Sequence, residues 1–247
     1  MRPSFIYDPD GVDRNTITVR GAEARHMAAV LRLHQGDMVR LIDGQGLSHS
    51  CEIVQIKAQE AVCRIIHSTE NEGEPALLLT LAIGLSAGGK FDTVIEKGTE
   101  VGVGRFIPML TSKAKVRLGA EHSISRKVGR WRRIAEAAAK QSGRSLIPFV
   151  ETPVDLDQAI MTCRPSNTVM FHPGGKPGEI DILLQELPDK TIILLVGPES
   201  GFSPEEISLA EARGLPIVSL GRRILRTETA GIVLPALVIH RYEAINS

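Results

Sequence analysis

Cysteine is scarce in this chain: Cys51, Cys63 and Cys163 are the only three in 247 residues, and no CxxC pair occurs. An odd, dispersed set of that kind speaks against a disulfide framework and a thiolate-built zinc site, and suits a reducing compartment. The seven histidines show no HxxxH spacing, so no metal is expected. No uninterrupted apolar run approaches the roughly eighteen residues of a membrane span. The opening stretch MRPSFIYDPDGVDR carries charges inside any apolar core, so neither export nor membrane insertion is expected and a cytoplasmic location is. Net charge is missing too, because 29 basic and 29 acidic residues cancel. The total therefore says nothing about a polyanionic partner, and the distribution has to decide. Internal repeats and low-complexity tracts are absent. What is present is 43% hydrophobic residues, enough to bury an ordinary core in one large or two modest domains.

The segment STENEGEP at 68–75 is polar, acidic and closed by proline, with strand-like runs on either side. It predicts a boundary between a domain at 1–73 and one at 74–247. Before it, short β-rich stretches at 5–7, 38–43, 51–56 and 61–67 and one helical run at 22–33 describe a small β-barrel or sandwich. After it, continuous apolar runs at 77–84, 105–110, 167–171, 191–196 and 216–220 read as strands buried on both faces. Helical stretches at 91–101, 125–140, 155–161 and 203–212 separate them, which predicts an α/β domain with a mainly parallel sheet.

In such sheets ligands collect in the loops that leave the C-terminal ends of the strands. The run TIILLV leads into Gly197-Pro198-Glu199-Ser200-Gly201-Phe202. Ser203, Pro204 and Glu206 then make a well-specified helix start, with a capping box and proline at the first helical position. Two glycines bracketing a glutamate suit either a tight turn or a loop that lets backbone approach a ligand. The run PIVSL leads into Gly221-Arg222-Arg223-Ile224-Leu225-Arg226-Thr227-Glu228-Thr229-Ala230. Its arginines can hold phosphate or a base edge, or can simply be solvated while Ile224 and Leu225 fill core.

Two features are weighed against function. Residues 84–91, GLSAGGKF, imitate a phosphate loop, but Phe91 stands where magnesium binding needs a hydroxyl. His172 ends a strand before Pro173-Gly174-Gly175, a place for a ligand loop but a lone signal. Charge is more telling when mapped. Between Lys113 and Arg144 lie ten basic residues against Glu121 and Glu136, a local balance of +8. That is a polyanion footprint or a solvated helix face. Trp131, among these charges, reads as a tryptophan packed under the helix rather than a base-stacking platform.

The two loops together resemble a known family. Residues 197–203 (GPESGFS) and 220–230 (LGRRILRTETA) are similar to the paired GPEGGFS and LGxRILRxETA signatures of the RsmE family, 16S ribosomal RNA uridine N3-methyltransferases of the SPOUT superfamily. Residues 90–103 (KFDTVIEKGTEVGV), 131–144 (WRRIAEAAAKQSGR) and 26–46 extend the resemblance over essentially the whole chain. It implies a PUA-like β-barrel followed by a SPOUT domain closed by a C-terminal trefoil knot. It also implies a homodimer, S-adenosyl-L-methionine (AdoMet) as methyl donor, and 16S rRNA within the 30S subunit as substrate. Cofactor contacts are implied for Val196, Gly197, Glu199, Gly201, Leu220, Gly221, Ile224, Leu225 and Thr229.

Uridine N3 holds a proton at neutral pH, so the implied reaction needs a proton acceptor and a stabiliser of the uracil anion. Glu199 or Glu228 can accept; Arg226 or Arg223 can stabilise. The expected RNA-binding residues are Arg2, Arg32, Lys113, Lys115, Arg130, Arg133 and Arg144. Three positions depart from the family pattern. Ser200 replaces a glycine, which is tolerable if its φ is negative. Lys140 replaces a glutamate, and Pro235 should kink the terminal helix expected at 230–241. Competing readings are a noncatalytic RNA-binding or ribosome-assembly protein, which AdoMet binding would discriminate, and a related enzyme with another RNA target.

Overall fold

A computed structural model describes residues 2–86, 89–113, 121–176 and 179–246. The chain divides into two compact units, Met1–Glu74 with Glu136–Ile147, and Pro75–Ala135 with Pro148–Ser247.

In the first unit, strands β1 (Ser4–Ile6), β2 (Val12–Asp13), β3 (Thr16–Arg20), β4 (Met38–Ile42), β5 (Leu47–Lys57) and β6 (Glu60–Glu70) form one sheet in the order β1-β4-β5-β6-β3-β2. Only the β1–β4 pair is parallel. Alternation sets the faces: Ile17 and Val19, Val39 and Leu41, Cys51 and Ile53 point into a core shared with Phe5 and Met27. The helix expected at 22–33 is shorter than its pattern. After α1 (Gly21–Arg25) the chain widens into a π turn, His26–Val30, in which Leu31 N bonds His26 O at 3.0 Å. Arg32 follows with φ 51°, the left-handed conformation that ends helices and usually falls to glycine.

The second unit is built on a wholly parallel sheet. Its strands are β7 (Leu78–Gly84), β8 (Val103–Leu110), β9 (Phe149–Val150), β10 (Val154–Asp155), β11 (Thr168–Lys176), β12 (Thr191–Val196) and β13 (Ile217–Val218). They lie in the order β10-β8-β7-β12-β11-β13, with β9 also on β8. The helices are α2 (Lys90–Glu100), α3 (Glu121–Ser142), α4 (Leu156–Thr162), α5 (Glu179–Gln185), α6 (Pro204–Ala212) and α7 (Thr227–Asn246). The continuous apolar runs follow from covering both faces. Leu81, Ile83, Leu194 and Val196 enter a core with residues of α2 and α7, while Ala82, Met109 and Leu195 enter another with residues of α4 and α6. Pro235 removes one backbone donor, and α7 runs from Thr227 to Asn246 across it.

Two expectations about charged or aromatic residues resolve here. Trp131 is buried, stacked edge-on against Phe91 at 4.7 Å, with Nε1 donating to Asp92 at 3.1 Å. Arg144, expected on the RNA surface, is instead a core residue of the first unit. Its guanidinium donates to Glu74 Oε2 at 2.6 and 3.0 Å, and the two side chains are 3% and 10% exposed. Glu74 Oε1 in turn accepts from Leu146 N at 2.9 Å. A guanidinium so enclosed is not offered to a phosphate, which corrects that assignment. Removing one partner of such a pair strands a buried charge, so Arg144→Met should cost about 3–5 kcal/mol. Urea denaturation should show this, with part of the loss recovered by the double change Arg144→Met, Glu74→Leu; a single-variant loss below about 1 kcal/mol would contradict the reading.

Candidate active site

The C-terminal ends of β11, β12 and β13 open onto a cavity of about 290 Å³. That is near the lower end of small-molecule sites, roughly 300–1,000 Å³. Val196 closes β12 at its floor, and Gly197, Glu199 and Gly201 line it from the following loop. Leu220, Gly221, Arg223, Ile224, Leu225 and Arg226 line it from the loop after β13. Ten sequence-predicted residues therefore meet around one space, from segments separated by α6. Thr229 and Glu228 do not line it; both sit in the first turn of α7.

The first loop is set by its neighbours. Ser203 Oγ accepts from Glu206 N at 3.2 Å and Glu206 Oε2 accepts from Ser203 N at 2.6 Å, the expected capping box. Glu206 Oε1 also accepts from Ser112 N at 2.8 Å, which ties the start of α6 to the end of β8. Gly201 has φ 69°, whereas Ser200 is not among the positive-φ residues. The serine is thus tolerated where the family pattern has glycine, and its Oγ donates to Lys113 O at 3.2 Å. The two loops are joined directly: Thr227 Oγ1 donates to Gly197 O at 3.3 Å.

Two residues weighed against function belong to this place. His172 and Pro173 line the cavity from within β11, which runs on to Lys176 rather than ending at His172. Gly174 N donates to His172 Nδ1 at 3.0 Å, so the neutral ring carries its proton on Nε2 and presents a donor there. Lys90, read in a phosphate-loop imitation, donates from Nζ to Glu199 Oε1 at 2.6 Å and lies 3.6 Å from Glu228 Oε2. Burial acts to raise the Glu199 pKa, but the hydrogen bond from Lys90, the Ser86 hydroxyl, the residue's own backbone N–H and the charge of Lys90 together hold the carboxyl below its usual range. Spacing gave no sign of this pair, whose members are 109 residues apart. The signal available was a lysine at the first position of a helix after a strand.

Charge elsewhere is unevenly available. Among the described residues neither Arg223 nor Arg226 has an ion-pair partner, and both are exposed at the cavity. Of the RNA-binding expectations in the second unit, Lys113 Nζ donates to Phe202 O at 3.1 Å, Arg130 pairs with Asp92, and Arg133 is exposed on α3. Arg2 and Arg32 are exposed in the first unit. Lys115 lies outside the described residues. Lys140 is held by Glu23 at 2.7 Å and Glu136 at 3.3 Å.

Apolar walls, a backbone bared by glycine, two unpaired guanidiniums and one lysine-bound carboxylate suit a ligand with a flat apolar part, beside a reacting group that gains negative charge. The positive φ of Gly201 gives a check. Gly201→Ala should destabilise by about 1–2 kcal/mol and weaken ligand binding, while Ser200→Gly should change stability by less than about 1 kcal/mol. Thermal denaturation with and without ligand measures both, and equal effects at the two positions would refute the loop description.

A family model described as an RNA methyltransferase domain matches residues 73–239, and one described as an RNA methyltransferase PUA domain matches residues 19–66. The chain is 30% identical over 237 residues to the ribosomal RNA small subunit methyltransferase E of Bacillus subtilis, covering 93% of this chain and 92% of that protein. To the protein of the same name from Synechocystis it is 31% identical over 241 residues, 96% of this chain and 77% of that one. The crystal structure of a ribosomal RNA small subunit methyltransferase E from Neisseria gonorrhoeae, bound to S-adenosyl methionine, matches with a TM-score of 0.82 at 28% identity over 96% of both chains.

Proposed function

The chain belongs to the RNA methyltransferase family and is an AdoMet-dependent methyltransferase of small-subunit ribosomal RNA, and we propose that the atom it methylates is N3 of a uridine in 16S rRNA. The observation that carries this proposal is the convergence of the two β12 and β13 loops on one cavity, with Arg223 and Arg226 unpaired beside a carboxylate.

The residues present fit the methyl donor. Leu220, Ile224 and Leu225 supply apolar wall, Ile224 being 83% exposed, and Gly197, Gly201 and Gly221 leave backbone groups uncovered by side chains. When bound, AdoMet supplies an electrophilic methyl on its sulfonium. The protein's own task is to prepare the nucleophile. Glu199 lines the cavity and Glu228 does not, so Glu199 is the proton acceptor of the pair, directly or through one water. Arg226, with Arg223, faces the uracil oxygens and stabilises the anion as the proton leaves, an interaction stronger in the transition state than in the ground state.

The RNA is held by Arg2 and Arg32 of the PUA-type unit and by Lys113, Lys115, Arg130 and Arg133 of the methyltransferase unit, and the substrate is the 30S subunit. The β13–α7 segment forms a trefoil knot of SPOUT type, and two copies associate as a homodimer in the cytoplasm.

Methyl transfer from labelled AdoMet to 30S subunits lacking native methylation tests the proposal. Mass spectrometry should identify 3-methyluridine; a different methylated nucleoside would refute the target. Arg226→Ala should lower kcat by about 10²–10³ with AdoMet affinity nearly unchanged, and an unaltered kcat would sink its role.

A further inference from the structure

We propose that Lys90 is a positioning residue of this site: its ammonium fastens the two cavity loops together through Glu199 and Glu228 and fixes Glu199 as the proton acceptor. The inference rests on the proposed reaction for its catalytic half and on geometry alone for the other.

Three separate elements meet at this ammonium. Lys90 opens α2, Glu199 comes from the loop after β12, and Glu228 from the first turn of α7, with Nζ–O distances of 2.6 and 3.6 Å. Local helix physics does not account for the lysine. A cation in the first turn opposes the helix dipole, and the favourable residue there, Asp92, is already engaged by Trp131 and Arg130. Nor does stability account for it: the three side chains are 37%, 43% and 22% exposed, and ion pairs so open to water contribute little.

The consequence that remains is positional. Glu228 Oε2 is buried without a hydrogen-bond partner among the described residues, and Lys90 is the cation beside it. Without that charge, the carboxylate of the first cavity loop and that of the first turn of α7 would repel each other. With it, Glu199 is held ionised and in one place, able to accept a proton over a wider range of pH. The charged and titratable groups around Glu199 are Lys90 from α2, Glu228 from α7, and Arg223, Arg226 and His172 lining the same cavity.

The test compares Lys90→Met, which keeps the apolar stem, with Lys90→Arg, which keeps the charge. In the ligand-free protein, carboxyl-carbon NMR should show the Glu199 titration moving to higher pH in Lys90→Met and returning toward the original in Lys90→Arg. The sign follows from the bond: removing the cation that lowers the Glu199 pKa lets it rise. The acid limb of the kcat/KM profile should move the same way. At neutral pH, kcat should fall by about tenfold or more, with most of it restored by arginine. A Glu199 midpoint and acid limb that stay put in Lys90→Met, or a kcat that does not change, would overturn the inference and leave only a surface ion pair. If the unaltered chain methylates no RNA, the function proposal fails by itself, and the midpoint in the ligand-free protein still decides whether Lys90 governs Glu199.

Discussion

Everything at the candidate site depends on how closely one loop passes one strand. A Cβ at Gly84, the last residue of β7, would lie 2.5 Å from both the N and Cδ of Pro198. Only glycine leaves room for that backbone, and only that approach sets Gly197 where its carbonyl meets Thr227 Oγ1 and Glu199 where it meets Lys90. The loop after β12 is therefore placed by packing against the sheet as well as by the capping box that follows it, and the loop after β13 is joined to it through Thr227. A side chain at residue 84 would displace the first loop and, through Thr227, the second.

That constraint gives a different meaning to the stretch from 84 to 91. Its glycine and lysine spacing imitates a phosphate loop, and the absence of a hydroxyl at Phe91 argued against nucleotide binding. In the structure the pattern's first glycine admits Pro198 and its lysine reaches Glu199 and Glu228. The imitation arises because both kinds of loop answer one need, close approach of another group to the backbone at the end of a parallel strand. In one case the group is a phosphate, and here it is the protein's own chain.

Sequence made the fold legible where a physical period was long and clean. The five apolar runs of the second unit are strands because both faces of a parallel sheet are covered, and alternate residues such as Leu194 and Leu195 go to opposite cores. The elements left unseen are short or broken: Val12–Asp13, Thr16–Arg20, Phe149–Val150, Val154–Asp155 and the helix Glu179–Gln185. The two-residue strands offer no period at all, and Thr16–Arg20 and Glu179–Gln185 are too short for theirs to stand out. The π turn at His26–Val30 escaped because an apolar stripe does not distinguish hydrogen bonds to the fourth residue from those to the fifth. The site was legible as two motifs because its cavity-lining residues are contiguous within each loop, whereas Lys90 and His172 are brought beside them by contacts that only the fold creates.

Charge shows the same limit more sharply and explains how a neutral chain can suit RNA. Counting gave +8 between Lys113 and Arg144, but counting does not see pairing. Arg144 is consumed by Glu74 and Lys140 by Glu23 and Glu136, Arg130 pairs with Asp92 yet stays exposed, and Arg132 donates to Val150 O and lies over Phe149 at 5.3 Å. At the cavity the allocation is reversed. There the lysine is neutralised by carboxylates and the two arginines are left open. A guanidinium is the better group to leave unpaired, because it stays charged at any physiological pH and presents a planar set of donors to carbonyl oxygens. An ammonium, a compact point charge, is the better group to bury its function in holding carboxylates together. The division between Lys90 and Arg226 thus follows from the chemistry of the two cations.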